Sequence, residues 1–239
     1  HEYIIKKLED MSSSKKKNYL ATMLVVLSPK RGSVRKGYEK VYEKYRDMLR
    51  EEHSSYETRV KNGDKTQKEK DNMIDMEDLH KIRQKYENNV KHIGYTQKSS
   101  VLKKKKHLDL LQKYLVSSLY TLMPPRRNAY AKMKIISSKS FNKLSDIQKN
   151  ENNYLVNYSR NKKEFSFGDF KTKKSMGLQK IAVNKKINSI INLWLNFSPN
   201  KEYLLIDSKG NPLTPNGLTK YINKVFSPSG KKIGASMIR

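Results

Sequence analysis

A chain that carries 51 Lys and Arg against 23 Asp and Glu has a formal charge of +28, and any fold it adopts must hold together against that self-repulsion. The arrangement makes physical sense chiefly if a polyanion neutralises it, so nucleic acid is the expected partner. An anionic membrane fits less well, because the lysines are scattered along the whole chain and not gathered on one amphipathic helix or tail. A coding bias toward Lys, Asn and Ile would also raise the lysine content, but it leaves the scarcity of acids unexplained. With 36% apolar residues over 239 positions, the chain can bury a core in one or two domains. The absence of cysteine excludes a disulfide scaffold, thiolate zinc sites, iron–sulfur clusters and a cysteine nucleophile. No apolar run approaches the roughly 20 residues that span a bilayer, the longest being pieces such as Tyr19–Leu27; a soluble intracellular protein without membrane partners is expected. The sequence starts at His1 and stops at Arg239, just after what reads as a helix start, and is expected to be a fragment.

The first half is helical in pattern. Tyr3, Ile4, Ile5 and Leu8 share one face of a first helix. A second carries Tyr19, Leu20, Met23, Leu24 and Leu27, with Ser12, Ser13 or Ser14 as its cap and Ser28-Pro29 as its end. A longer helix from about Val34 spaces Tyr38, Val41, Tyr42, Tyr45 and Leu49 by three or four. Lys61–Asp71 is polar and contains Asn62-Gly63, which predicts a loop or exposed helix end before apolar spacing resumes at Met73, Ile74, Met76, Leu79, Ile82 and Tyr86. We therefore read residues 1–92 as an all-helical domain. Residues 93–106, where the apolar pattern lapses around Lys103, Lys104, Lys105 and Lys106, read as a basic linker suited to a phosphate backbone.

Residues 107–239 change character, which makes the fold class α+β and mainly helical. Leu108, Leu111, Tyr114, Leu115, Leu119 and Leu122 define a core helix that Pro124-Pro125 must stop. Tyr154, Val156 and Tyr158 alternate, and Phe165–Lys171 and Leu178–Val183 flank the turn-like Lys174–Gly177, predicting a small antiparallel sheet. A helix with Ile187, Ile190, Ile191, Trp194 and Leu195 follows, its tryptophan read as core packing, and then a short strand Tyr203–Ile206 broken by Asn211-Pro212. Thr214-Pro215 starts a last long helix, a hydroxyl cap followed by proline at the first helical position.

Most phosphoryl-transfer chemistry has poor support in these residues. Metal-dependent cleavage wants paired carboxylates, whereas Asp207-Ser208-Lys209 runs straight into Gly210-Asn211-Pro212 and reads as a plain turn. His1, His53, His80, His92 and His107 show no metal-ligand spacing, and Gly230-Lys231-Lys232 lacks the glycine and hydroxyl of a phosphate loop. What remains is metal-free transfer by cations: guanidinium forks bind the non-bridging oxygens while a lysine protonates the leaving oxygen. Three segments supply those types. They are Pro124–Tyr130, with Arg126 and Arg127 at a rigid corner; Lys171-Thr172-Lys173-Lys174, on the strand leading into a hairpin turn; and Ser236-Met237-Ile238-Arg239, at a helix start.

In that order, after a small helical domain, these segments resemble the tyrosine recombinase (phage-type integrase) family. The phrases L-Y-T-L-M-P-P-R-R-N, L-T-P-N-G-L-T-K-Y-I-N-K-V-F and G-K-K-I-G-A-S-M-I-R are most similar to recombinases of large DNA viruses and virophages. The resemblance implies that Arg126 and Arg239 are the two catalytic arginines, that Lys171 is the general acid, and that Ser236 stands in the place usually held by histidine. It implies a clamp of two domains around double-stranded DNA, a 3′-phosphotyrosine intermediate, strand exchange in a homotetramer on paired sites, and work wherever viral or host DNA resides, nucleus or viral factory. The bond energy kept in the phosphotyrosine is why no cofactor is expected. Arg127, Lys103, Lys104, Lys105, Lys106, Lys173, Lys174, Lys231 and Lys232 are the candidate backbone contacts.

Three departures accompany the resemblance. Ser236 can donate a hydrogen bond but cannot act as a base, Ala129 stands where many relatives keep an acid, and the nucleophilic tyrosine is expected beyond Arg239, since none of the fifteen tyrosines sits in a matching context. The chain as given is therefore expected to bind DNA without cleaving it. A non-catalytic basic nucleic-acid-binding module and a topoisomerase-like nicking and closing enzyme are the alternative readings.

Overall fold

The computed structural model describes residues 2–30, 33–94, 105–235 and 237–238. They form an α+β structure, mainly helical, with one four-stranded sheet. The chain divides into two compact units, residues 1–68 and 69–239.

The first unit contains α1 (Glu2–Glu9), α2 (Ser13–Leu27) and α3 (Glu39–Asn62). Leu8, Leu20 and Tyr45 are its fully buried centre, with Ile4, Ile5, Met23, Leu24, Leu27, Val41 and Leu49 packed around them. Tyr3, Tyr19 and Tyr38, which the apolar spacing assigns to the buried faces, lie exposed, as a phenol at the edge of an apolar stripe readily does. Ser12 holds the capping position of α2, but its side chain makes no capping bond. The α3 helix ends at Gly63, whose φ of 72° is the left-handed turn that suits glycine.

The division between the units falls inside the five-residue α4 (Gln67–Asp71), not at His92 as the pattern suggests. The physical reason is the next helix, α5 (Met76–His92). Its Leu79, Ile82, Tyr86 and Val90 belong to the large core of the second unit, beside Leu111 and Leu115, and burying such side chains contributes roughly 1.5–3 kcal/mol each. Tyr86 donates to the Val225 carbonyl at 2.6 Å. Buried Arg83 bonds Glu87 at 2.5 Å, and Lys186, on a later helix, joins the same carboxylate at 3.5 Å. Burial would raise that carboxyl; hydrogen bonds from Lys91 and Arg83 hold it below the ordinary value.

The core helix α6 (Lys105–Thr121) is buried along nearly its whole length from Leu111, and it ends three residues before Pro124. Because it begins at Lys105, the last two lysines of the expected linker open a helix; Lys103 and Lys104 lie outside the described residues. Strand β1 (Lys134–Ser137) runs parallel to β2 (Asn153–Ser159), the crossover being the short helices α7 (Ser138–Asn142) and α8 (Asp146–Glu151). Strand β3 (Lys162–Phe167) pairs antiparallel with β2 and with β4 (Gln179–Ala182). The sheet is therefore mixed and not purely antiparallel. Leu155, Phe165 and Phe167 face the large core, while Tyr154 and Val156 pack with Phe141 on the other face, as the twofold alternation of a strand requires.

Between β3 and β4 lies the one-turn helix α9 (Lys173–Met176). The helices α10 (Lys185–Phe197) and α11 (Pro215–Phe226) complete the unit. Trp194 is buried and donates to the Leu204 carbonyl at 2.8 Å, and Thr214 caps α11 through the Gly217 amide at 3.0 Å. Tyr203–Ile206 is held by isolated bridges to Lys134 and Pro212 and is not a strand of the sheet. Asp207 accepts from the Lys209 and Asn211 amides at 2.8 and 2.9 Å, the plain turn its sequence suggests.

Lys163 of β3 is 3% exposed. Its ammonium donates to the Arg160 carbonyl at 3.0 Å, Asn188 Oδ1 at 3.0 Å and Asn192 Oδ1 at 2.6 Å, which satisfies its three protons. Burial, with Arg160 nearby, lowers its pKa from 10.5. The unfolded chain thus holds this proton to higher pH than the folded one, and the group adds stability as pH rises from the folded value toward 10.5. Lys163→Met is expected to lose about 2 kcal/mol at neutral pH through the orphaned oxygens, and the deficit should widen as the pH rises. Urea midpoints of both proteins at pH 7.5 and about pH 10 check this.

Candidate phosphate-binding cleft

The second unit contains a cleft of about 610 Å³ lined by Pro124–Ala129, Ala131, Lys132, Asn153, Phe167, Asp169–Thr172 and Pro215. Two of the three candidate segments, the arginine corner and the Lys171 loop, meet there. Its lining includes four cationic residues, Arg126, Arg127, Lys132 and Lys171, and one acidic residue, Asp169. No tyrosine is among the described residues lining it.

The arginine corner is rigid for reasons visible in its backbone. Tyr120 of α6, fully buried, donates to the Arg127 carbonyl at 2.9 Å, the Ala131 amide closes a turn on Asn128 at 2.9 Å, and the Lys132 amide bonds the Leu213 carbonyl at 3.0 Å. Beneath it Tyr130 stands edge-on to Tyr120, Phe165 and Phe167, with ring centroids 5.7, 5.4 and 5.8 Å away. Burial pushes the Tyr130 phenol well up against the opposing pull of Arg126, so it stays protonated. The Arg126 guanidinium sits 5.1 Å over the Phe167 ring, a cation–π contact. Its Nε is buried with no hydrogen-bond partner among the described residues. Arg127 is exposed.

The other wall is the connection from β3 to α9. Lys171 lies in this loop, not on a strand, because β3 ends at Phe167; it is exposed, as are Lys173 and Lys174. Gly168 permits the loop to leave the sheet. A Cβ there would stand 1.9 Å from the Lys149 carbonyl oxygen and 2.8 Å from that of Asn152, so the backbones can approach this closely only without a side chain.

The residue that joins the two walls is Asn153, at the start of β2 and 6% exposed. Its Nδ2 donates to the Ala129 carbonyl at 3.0 Å on the arginine side and to the Asp169 carbonyl at 2.8 Å on the lysine side. Its Oδ1 accepts from the Gly168 and Asp169 amides at 3.0 and 2.9 Å. Both donors and both acceptor positions of the carboxamide are used. Asn153→Ala orphans the carbonyls of Ala129 and Asp169 and the Asp169 amide, and should cost about 3 kcal/mol. Asn153→Asp keeps the accepted amides but sets a carboxylate against two carbonyls, and should cost as much. Urea unfolding of the three proteins measures it.

Sequence reasoning pointed to Arg126, Arg127 and Lys171 but passed over Asn153, Gly168 and Lys132. The one available signal was Gly168, a lone glycine directly after an alternating Phe165-Ser166-Phe167 run. Ser236 and Arg239 lie outside the described residues. Around them Ile233, Ala235 and Ile238 are buried in the large core, and the Met237 amide makes a turn onto Gly234 at 2.9 Å. Lys231 and Lys232 are exposed and are held to the segment before α5, the Lys231 ammonium by the Met73 carbonyl and the Lys232 amide by Asn72 Oδ1 at 2.8 Å. Neither lines the cleft.

A larger cavity, about 780 Å³, lies beside Trp194, Leu108, Ile206 and Tyr221. Its inner polar groups are already paired: Gln112 with both backbone groups of Ile206, and Asp109 with Tyr221, Lys224 and Lys113. It therefore offers little unmet chemistry, and the smaller basic cleft is the better candidate.

No protein-family model, curated protein or solved structure matches this chain. The fold and cleft define an α+β protein with a preorganised cationic pocket. Among the described residues, no helix is long and apolar enough to cross a membrane.

Proposed function

We propose that this protein is a tyrosine-recombinase-type DNA strand transferase whose basic cleft holds a backbone phosphate of double-stranded DNA. The observation that supports the reading is the convergence of Arg126 and Lys171, distant in sequence, on one cleft of four cations and one acid. A guanidinium braced on Phe167 presents its outer nitrogens as a fork for two non-bridging oxygens. As charge builds on those oxygens in the transition state, the bonds strengthen, which is where such a site accelerates reaction. In this reading Lys171 is the general acid that protonates the departing 5′ oxygen. A tyrosine oxygen forms the new bond to phosphorus, the phosphorus–O5′ bond breaks, and attack by another strand's 5′ hydroxyl reverses the step in exchanged connectivity. The resulting 3′-phosphotyrosine conserves the bond, so the chemistry calls for no metal or nucleotide. Exchange between two sites requires four such protomers, a homotetramer on paired DNA.

The test is a nicked duplex incubated with the full-length protein and analysed for a protease-sensitive covalent adduct. Adduct formation that is lost in Arg126→Ala while duplex binding persists supports the reading. Absence of an adduct, with binding weakened equally by any lysine or arginine change, makes the protein a non-catalytic basic module.

A further inference from the structure

Lys132 plays no part in the two-residue description of the cleft, yet its backbone is singular. Its φ of 51° is the one positive value at a non-glycine position among the described residues. An L-residue in that left-handed region brings its Cβ against its own backbone, and glycine or asparagine adopts it far more readily. The surroundings impose the conformation. Ala129, Tyr130, Ala131 and Met133 are all buried, the Lys132 amide is bonded to the Leu213 carbonyl at 3.0 Å, and the Met133 carbonyl accepts from the Leu204 amide at 2.9 Å. Lys132 alone in this run is exposed, and it lines the cleft. Among the described residues its ammonium has no ion-pair partner, and the cleft's lining holds four cationic residues against a single acid, Asp169. A turn that needs only a left-handed residue has no use for a lysine, whereas a cleft that binds a polyanion has use for a fixed cation. Backbone strain of this kind gathers where the surrounding structure aims a side chain at a ligand.

We propose that Lys132 is a phosphate-contacting residue of the cleft, the third cation on the DNA backbone beside Arg126 and Lys171. The inference rests on the cleft being the DNA site, and its test separates the two. The probe is a fluorescein-labelled 20-base-pair duplex of arbitrary sequence, titrated by anisotropy from about 50 to 300 mM salt. Lys132→Gly and Lys132→Asn remove the amine and relieve the left-handed strain together. Both variants should melt at or above the temperature of the parent. Both should bind about fivefold to tenfold more weakly near 0.1 M salt, with the slope of log affinity against log salt shallower by about 0.9. Lys209, which lines the other cavity, supplies the control: Lys209→Ala should leave affinity within about twofold. In the unsubstituted protein, amine acetylation followed by mass spectrometry should find Lys132 and Lys171 protected by the duplex and Lys209 unprotected; this reading does not depend on any variant folding. If Arg126→Ala and Lys171→Ala weaken binding while Lys132→Gly does not, and Lys132 stays reactive in the complex, the inference is overturned and the cleft stands. If none of the three changes affinity, the cleft is not the DNA site and both readings fall.

Discussion

Gly168→Ala should destabilise the protein by about 4 kcal/mol or more, the upper end of what single substitutions do, although it adds one methyl group. The added Cβ would overlap the Lys149 carbonyl oxygen at 1.9 Å and crowd Asn150 Cα and the Asn152 carbonyl at 2.8 Å. All three are backbone atoms, so no side-chain rotation relieves the clash; the α8–β2 junction or the β3 exit must move. Either movement pulls on Asn153, whose Oδ1 holds the Gly168 and Asp169 amides. The effect should therefore be twofold: a lower urea midpoint, and a weakened duplex affinity even in urea-free buffer, because Lys171 sits three residues beyond the glycine. The φ of Gly168 is not in the left-handed region, unlike that of Gly177. Gly177→Ala, which meets open space but holds φ 63° and ψ −168°, a region essentially reserved for glycine, should cost about 1–3 kcal/mol through its backbone conformation alone. A Gly168→Ala protein as stable as its parent would mean that the close packing of the cleft wall is wrong.

Arg126→Ala should reduce covalent adduct formation in the full-length protein by about 10²–10³-fold, the loss measured when a preorganised donor to a developing negative charge is removed. Duplex affinity should fall by only about tenfold, one phosphate contact among many. The informative variant is Arg126→Lys. It keeps the charge but loses the planar fork and the stacking on Phe167, so affinity should recover while adduct formation does not. Recovery of both would reduce Arg126 to a point charge and remove the geometric argument for catalysis. Stability bears on neither result if the aromatic cluster of Tyr120, Tyr130, Phe165 and Phe167 remains packed, which near-ultraviolet circular dichroism reports.

Helical periodicity located α1, α2, α5, α6, α10 and α11 because that signal is local. Apolar residues three and four apart share a face whatever they later pack against. The same locality explains the failures. The spacing in α5 marked a buried face but not its cover, and that cover is the core around α6, so the unit boundary moved from His92 to the α4 segment. Strand β1 is four residues long and α7 and α8 are shorter than two turns; none is long enough to show a period, and with them the parallel β1–β2 pairing went unseen. Thr214-Pro215 was legible because capping chemistry is contained within four residues.

The candidate site divides along the same line. Composition raised the expectation of a polyanionic partner, since charge adds up regardless of fold. The double proline marked a rigid arginine corner, since proline acts on its own backbone. That Arg126 and Lys171 share a cleft, that Lys171 rides on a loop, and that Asn153 fastens the two walls emerged from the folded molecule alone. A carboxamide at the start of a strand carries no mark of the carbonyl it will reach, and Ala129 and Asp169, 24 and 16 residues away, come within its hydrogen-bonding distance in the folded chain. Periods, caps and net charge are properties of neighbouring residues or of sums over them. Hydrogen-bond complementarity between remote segments is a property of the packed chain.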